Sequence, residues 1–315
     1  MIQYPVRMFL RVANNMLSVI IPSRCDEYLQ KTIDGLLEKT EGDIEIIVVL
    51  DGYWPKTPLN PDKRVIVVHH GTQFDNRGMR ASINAGMALS KGKYVMKIDE
   101  HCLVDQGFDV KLAADCEDNW VVIPRRYRLD AEKWEIVKDG RSPVDYNYLA
   151  YPYERPHDQT CGLHGAEWRR RDRDNILVDD TVSMQGSAYF MTKKHWDTVI
   201  KSMDDESYGG FTHEAQEISN KTWWSGGRVV VNKKTFYAHM HKGKNGKKYG
   251  FSNAQYKRHG EEKEKGRLFC IAYWLYTKDY PLTFDDIYKK LGPWPGWSET
   301  WKEDLIRDKL IENSK

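Results

Sequence analysis

Paired cysteines are missing from this sequence of 315 residues: the five present, Cys25, Cys102, Cys116, Cys161 and Cys270, are scattered, odd in number and without a C-x-x-C pair. That spacing offers neither a disulfide framework nor a thiolate zinc site, so the thiols are expected to be reduced, in a cytoplasm. Long hydrophobic runs are missing too. The apolar patch from Met8 to Ile21 is broken by Arg11, Asn14 and Asn15 and no small-residue cleavage site follows it, which argues against a signal peptide; no stretch reaches membrane-spanning length. Charge of one sign is also scarce. A formal net charge of +2 makes no global demand for a polyanionic partner, although local clusters can still make one. No internal repeat or low-complexity segment is present. What is abundant is aromatic surface: 11 tryptophans exceed ordinary core needs, and they serve either sugar or base stacking or the filling of interfaces. Trp274, Trp294, Trp297 and Trp301 gather near the C-terminus.

The first third alternates short β-branched runs with amphipathic stretches. Leu17 to Ile21, Ile44 to Leu50, Val65 to His69 and Tyr94 to Ile98 read as buried strands. Tyr28 to Glu38 and Gly78 to Ser90 read as helices, with Leu29, Ile33 and Leu36 on one face of the first and Met79, Ile83 and Met87 on one face of the second. A βαβ rhythm predicts a mostly parallel α/β sheet flanked by helices. Ligands in such sheets bind beyond the carboxyl ends of the strands, which points to Pro22 to Asp26, Asp51 to Trp54 and Asp99 to Cys102. From Tyr127 to Asp180 the pattern weakens into an irregular insertion carrying the basic, aromatic run Trp168 to Arg173. Strands are expected again at Ser187 to Thr192 and Arg228 to Asn232, with a helix from His213 to Trp224 between them. The domain organisation expected is a core of residues 1–241, then a Gly- and Lys-rich loop and a C-terminal helical lobe over 242–315.

Three segments carry candidate chemistry. At Lys97-Ile98-Asp99-Glu100-His101-Cys102 an apolar strand ends in an acid with a histidine two positions on. Residues at i and i+2 of an extended chain point the same way, so the pair suits a divalent cation such as Mn2+; taken alone it reads first as a turn cap with a histidine packed beside it, and its place at the sheet's carboxyl edge is what favours the ion. Glu214 and Glu217, three apart on one helix behind Gly209 and Gly210, share a face; an acidic first helical turn favoured by the macrodipole explains them as well. His239 and His241, near the end of the strand that begins at Arg228, offer a further ligand from a distant part of the chain.

Together these segments resemble the GT-A glycosyltransferases, and most closely the polypeptide N-acetylgalactosaminyltransferases and related bacterial and phage enzymes. The resemblance runs from about Leu17 to His241. Ser18-Val19-Ile20-Ile21-Pro22 is similar to the family's opening strand, and Glu45 to Gly52 to its second strand, with Leu50 in place of the first acid of an acidic pair. Arg77 to Ser82 and Ala88 to Tyr94 resemble the lead into its metal motif, and Asp99-Glu100-His101-Cys102 resembles its Asp-x-His. Gly209-Gly210 with Glu214 and Glu217 resembles its Gly-Gly-Glu-Asn-x-Glu segment, with three extra residues inserted, and His239 falls where the family places a third metal ligand.

The resemblance implies a Rossmann-like GT-A fold with a C-terminal helical extension, a nucleotide-sugar donor, and Mn2+ or Mg2+ held by Asp99, His101 and His239. It implies Pro22, Ser23, Arg24 and Asp51 around the nucleoside, and Arg77, Arg80 and Asp99 toward the phosphates and sugar. Glu214 or Glu217 is then the base of an inverting reaction or a positioning group of a retaining one, the resemblance leaning to retention. Basic segments at Trp168 to Arg173 and Lys242 to Lys248 make DNA with hydroxymethylated bases a candidate acceptor, beside glycan or protein hydroxyls. A nucleotidyltransferase is disfavoured, since Pro22-Ser23-Arg24-Cys25-Asp26 has no glycine; a non-catalytic nucleotide-sugar-binding protein is the remaining alternative.

Overall fold

A computed structural model describes residues 15–24, 27–72, 74–152, 162–208, 212–241 and 253–307, with only the backbone of 253–263. Chain order begins β1 (Leu17–Ser23), α1 (Leu29–Lys39), β2 (Ile44–Asp51), β3 (Val65–His70), α2 (Met79–Leu89) and β4 (Tyr94–Ile98). β1 lies parallel between β2 and β4, and β3 extends the parallel set beyond β2. Every residue of β1, β2 and β4 is buried, as unbroken apolar runs covered on both faces must be. Alternation sorts their side chains. Val19 and Ile21 pack with Ile33 and Leu36 of α1, whereas Ile20 packs with Ile83 and Met87 of α2.

The second half is β5 (Cys102–Val104), α3 (Phe108–Ala114), β6 (Trp120–Asp130), β7 (Glu135–Ile136), β8 (Asn147–Leu149), β9 (Gly165–Glu167), a 3-10 turn Arg171–Arg173, β10 (Val178–Asp180), β11 (Ala188–Thr192), the short α4 (Lys193–His195), α5 (Glu214–Trp224) and β12 (Arg228–His239). The main sheet runs β10-β12-β6-β11-β4-β1-β2-β3. It is mixed, not nearly all parallel: β11 is antiparallel to both β4 and β6, and β10 and β5 are antiparallel to β12. Periodicity marks a strand but carries no direction, and the stretch between β10 and β11 holds no crossover helix. The expected irregular insertion is partly regular, since β6 continues to Asp130, pairs with β7, and is followed by the β8-β9 ribbon.

α6 (Asn253–Tyr276), α7 (Phe284–Leu291) and α8 (Trp301–Arg307) follow. α7 starts with a capping box between Thr283 and Asp286. Trp274, Trp294, Trp297 and Trp301 are buried in the cluster that also contains Ile20, Ile83 and Trp224. The C-terminal helices thus share one core with the sheet, and the Trp297 indole donates to the Leu149 carbonyl oxygen at 2.7 Å. No helix among the described residues is long and apolar enough to cross a membrane. Cys102, Cys116 and Cys270 are free thiols.

Candidate metal centre and donor site

β4 delivers Asp99 to the carboxyl edge of the sheet, where its N–H donates to the Ser187 carbonyl oxygen at 2.9 Å. The chain then turns straight into β5, which pairs with the end of β12 and sets Cys102 opposite His239. That pairing, with Met240 N–H donating to the His101 carbonyl oxygen at 3.2 Å, brings together ligands far apart in sequence. A register shift in β12 between Asn232 and Phe236 re-aims its second half toward β5.

Asp99, His101 and His239 form a cluster whose ligand atoms lie within 4.8 Å of one another. His101 Nε2 and His239 Nε2 are 3.0 Å apart, His239 Nε2 and Asp99 Oδ2 3.1 Å, and His101 Nε2 and Asp99 Oδ2 4.0 Å. A divalent ion with bonds of about 2.1 Å places neighbouring ligands about 3 Å apart, so one carboxylate and two imidazoles at these separations fit such an ion. Protonation also fits. Burial pushes the His239 imidazole down to about 3 despite its bond to Asp99, so it stays neutral. Burial opposes the charge of Asp99, yet the neighbouring Lys97 ammonium and the two imidazoles outweigh it and hold the carboxyl well below the usual range.

Glu100, between the two ligands, turns the other way and accepts from the Ser23 hydroxyl and, at 3.0 Å, from Arg24 N–H. Thr32 Oγ1 donates to the Glu100 carbonyl oxygen at 2.9 Å and accepts from Cys102 N–H at 3.1 Å. The ligand turn is thereby clamped to the end of β1, where Pro22, Ser23 and Arg24 stand, and to α1. Arg24 Nη1 reaches the Asp51 carbonyl oxygen at 2.7 Å. The Asp51 carboxylate is buried and accepts from Arg77 N–H and Gly78 N–H at 2.7 and 2.8 Å. Its placement differs from a free base-contacting acid: at a strand end it satisfies backbone amides leading into α2. The Arg77 side chain is exposed at this entry.

Arg80 and Glu217 lie deeper still. Both are 1% exposed and paired with each other. Arg80 Nη2 donates to the Thr212 carbonyl oxygen at 2.5 Å and its guanidinium lies 4.2 Å over the Tyr208 ring. Glu217 also takes Lys221 Nζ at 2.6 Å and Asp204 N–H at 3.0 Å. A three-residue step turns a helix by about 300°, leaving Glu217 roughly 60° from Glu214, and that is enough to separate them. Glu214 instead faces Lys97, its Oε1 3.3 Å from Nζ. Burial pushes the Glu214 carboxyl up, the Lys97 ammonium only partly offsetting it.

Lys97 is the residue sequence reasoning missed. Its Nζ donates to Asp99 Oδ1 and to the Gly186 carbonyl oxygen, both at 2.6 Å, and bridges to Glu214. Burial works against its charge, but Asp99 and Glu214 prevail and raise it to about 12. The signal was available: lysine in the middle of Tyr-Val-Met-Lys-Ile, a buried strand, demands partners. Of the remaining expectations, Gly209, Gly210 and Lys242 to Lys248 lie outside the described residues.

Residues 18–177, about half of the chain, match the family described as Glycosyl transferase family 2. The chain is 28% identical over 111 residues to the uncharacterized glycosyltransferase EpsJ of Bacillus subtilis, covering 33% of this chain and 31% of that protein. It is 28% identical over 126 residues to the glycosyltransferase GlyG of Streptococcus pneumoniae, 37% of this chain and 41% of that one. To the putative polypeptide N-acetylgalactosaminyltransferase 13 of Drosophila melanogaster it is 22% identical over 239 residues, 70% of this chain and 40% of that protein. The chain thus spans less than half the length of these relatives. Its fold is similar to that in the crystal structure of GalNAc-T7 with UDP, GalNAc and Mn2+, with a TM-score of 0.61 at 16% identity over 86% of this chain and 59% of that one.

Proposed function

The chain belongs to glycosyl transferase family 2, and on that premise we propose that it moves a sugar from a nucleotide-diphosphate sugar, a UDP-sugar, to an acceptor hydroxyl, with Mn2+ or Mg2+ held by Asp99, His101 and His239. The observation that carries this reading is the clustering of one carboxylate and two imidazoles at the carboxyl edge of the sheet. The UDP and Mn2+ in the solved GalNAc-T7 structure support the same pairing of donor and ion.

Such an ion supplies positive charge that offsets what develops on the departing diphosphate. The chain's own residues do the rest. Lys97 holds Asp99 by Oδ1, which leaves Oδ2 toward the imidazoles. Ser23 and Arg24, fixed through Glu100 and Asp51, form the nucleoside end, and exposed Arg77 reaches for phosphate. In the transfer the bond from the anomeric carbon to the diphosphate oxygen breaks, its electron pair leaving on the nucleotide. A bond to the acceptor oxygen forms, and the hydroxyl proton passes to solvent or to Glu214. Glu214, beside Lys97, acts as base or as a positioning group for the sugar.

The acceptor we favour is a hydroxymethylated base in DNA, which must be flipped out to reach the centre. The test is a panel of nucleotide sugars with Mn2+, reading nucleotide release. Asp99→Ala is expected to lose at least about 100-fold, since charge offset at a leaving group is worth several kcal/mol. Equal release by both proteins overturns the metal assignment. Transfer to DNA is expected to fall steeply with salt; transfer to glycan or protein hydroxyls, indifferent to salt, replaces DNA as acceptor.

A further inference from the structure

Beyond His239 the chain borders a cavity of about 920 Å³ walled by the end of β6, the turn through Asp139 to Asp145, and the segment after β9. Seven arginines and four carboxylates line it, a local excess of positive charge in a chain whose net charge is +2. Most of these arginines are spent. Arg125 pairs with Asp145 at 2.7 Å, Arg128 and Arg141 share Asp139 at 2.7 and 3.1 Å, and Arg169 and Arg170 pair with Glu167 and Asp172, each at 3.0 Å. Two are not spent in this way. Arg171 is exposed and makes no ion pair among the described residues. Arg126 is 7% exposed; it donates from Nη2 to His241 Nε2 at 2.7 Å, while its Nε and Nη1 are buried with no hydrogen-bond partner among the described residues.

Buried charged donors are rarely left open, and guanidinium N–H groups without a carboxylate partner invite an oxyanion. The position of this group matters as much as its charge. Arg126 sits opposite Tyr237 in the β6-β12 pairing, and the His241 ring it bonds packs edge-on against His239, centroids 5.2 Å apart. One imidazole therefore separates an open cation from the candidate metal centre.

We propose that this cavity is the acceptor subsite and that it takes a phosphate-bearing acceptor, Arg126 and Arg171 holding a phosphodiester while a nearby hydroxyl reaches the sugar. The inference rests on the sugar-transfer reading above. A phosphodiester repeats along a polymer, which matches a cavity with arginines on several walls.

Binding to the full chain is measured by fluorescence anisotropy with three labelled probes: a single-stranded oligodeoxynucleotide, a phosphodiester-linked glycerol oligomer and an uncharged oligosaccharide. One or both phosphodiester probes are expected to bind and the uncharged one not, and the probe that binds identifies the source of the phosphate. Arg126→Gln is expected to weaken binding about tenfold or more, as loss of a charge-assisted bond does. Arg171→Ala, at an exposed position, is expected to weaken it as well and guards against a folding defect at Arg126. No phosphodiester binding, equal binding of the uncharged probe, or unchanged binding by both variants overturns the proposal. So does displacement of the probe by UDP, which moves the cavity to the donor. Calorimetric titration of the wild type with UDP and Mn2+ reports the donor half separately: failure there with intact probe binding overturns the sugar-transfer reading alone.

Discussion

Two glutamates one helical turn apart meet different fates, and the difference is testable. Glu217 is locked to Arg80 and Lys221 with almost no exposure, so Glu217→Gln leaves a buried guanidinium short of its counter-charge. Breaking a buried pair from one side costs about 3–5 kcal/mol, and urea denaturation is expected to show a loss of that order. Glu214 faces the candidate site beside Lys97. Glu214→Gln is expected to keep most of the stability while nucleotide release drops by at least about tenfold, the lower range for a lost acid-base or positioning group. The reverse pattern, with Glu217 controlling turnover and Glu214 stability, would exchange their roles. Two buried histidines outside the metal cluster set a pH dependence. Burial pushes His195 down to about 4 and His213 down to about 3, from an ordinary value of 6.5. The unfolded chain binds protons that the folded one refuses as pH falls below 6.5, so their contribution to stability is complete above that pH and is lost toward 4 and 3. Denaturation midpoints at a series of pH values between 7 and 4.5, roughly the span over which unperturbed histidine titrates, are expected to fall steadily, and less steeply in His195→Gln. These residue roles were only half legible. Asp99 and His101 stood out by type and position and His239 through the family resemblance, whereas the partner of Arg80 became visible only where Glu217 of α5 meets it in the fold.

At the scale of elements, β1 to β4, α1 and α2 match the expected segments to within one or two residues, because buried β-branched runs and four-residue apolar spacing are local signals. β11 was recognised as a strand but not as the antiparallel member between β4 and β6, since direction depends on how the chain returns. Three-residue β5 was not foreseen at all, yet its pairing with β12 is what brings His239 to Asp99. Contact between α2 and the sheet gives the element-level prediction. A Cβ on Gly86 meets Ile20 Cγ2 at 2.5 Å and Val49 Cγ2 at 3.3 Å, too close for ordinary packing. Gly86→Val is expected to cost about 1–3 kcal/mol by overpacking, read as a lowered midpoint. An unchanged midpoint would mean that α2 can lift from β1 without penalty.

For the molecule as a whole, the expected division after residue 241 meets a core that continues across it. Four tryptophans from the C-terminal segment, Trp274, Trp294, Trp297 and Trp301, are buried there, each at most 7% exposed. At roughly 200 Å² of ring surface apiece and about 25 cal/mol per Å², their burial amounts to ~20 kcal/mol as an upper estimate, more than the whole stability of most domains. A chain truncated after His241 is therefore expected to lose cooperative unfolding and to bind a dye for exposed apolar surface; a sharp transition in that fragment would make the C-terminal helices a separate unit. The aromatic surplus read from composition has gone largely into this interface. Composition and local order by themselves determined the class of fold and the strand ends that carry chemistry, because alternation, helical spacing and residue type are written in consecutive positions; the three ligand candidates came from the motifs' resemblance to a family. Only the tertiary structure decided which side chains meet: His101 and His239, 138 residues apart, touch through β5, Lys97 lies between Asp99 and Glu214, and Arg80 is buried against Glu217. Those pairings depend on burial, strand direction and register, which arise from contacts between segments that no single stretch of sequence contains.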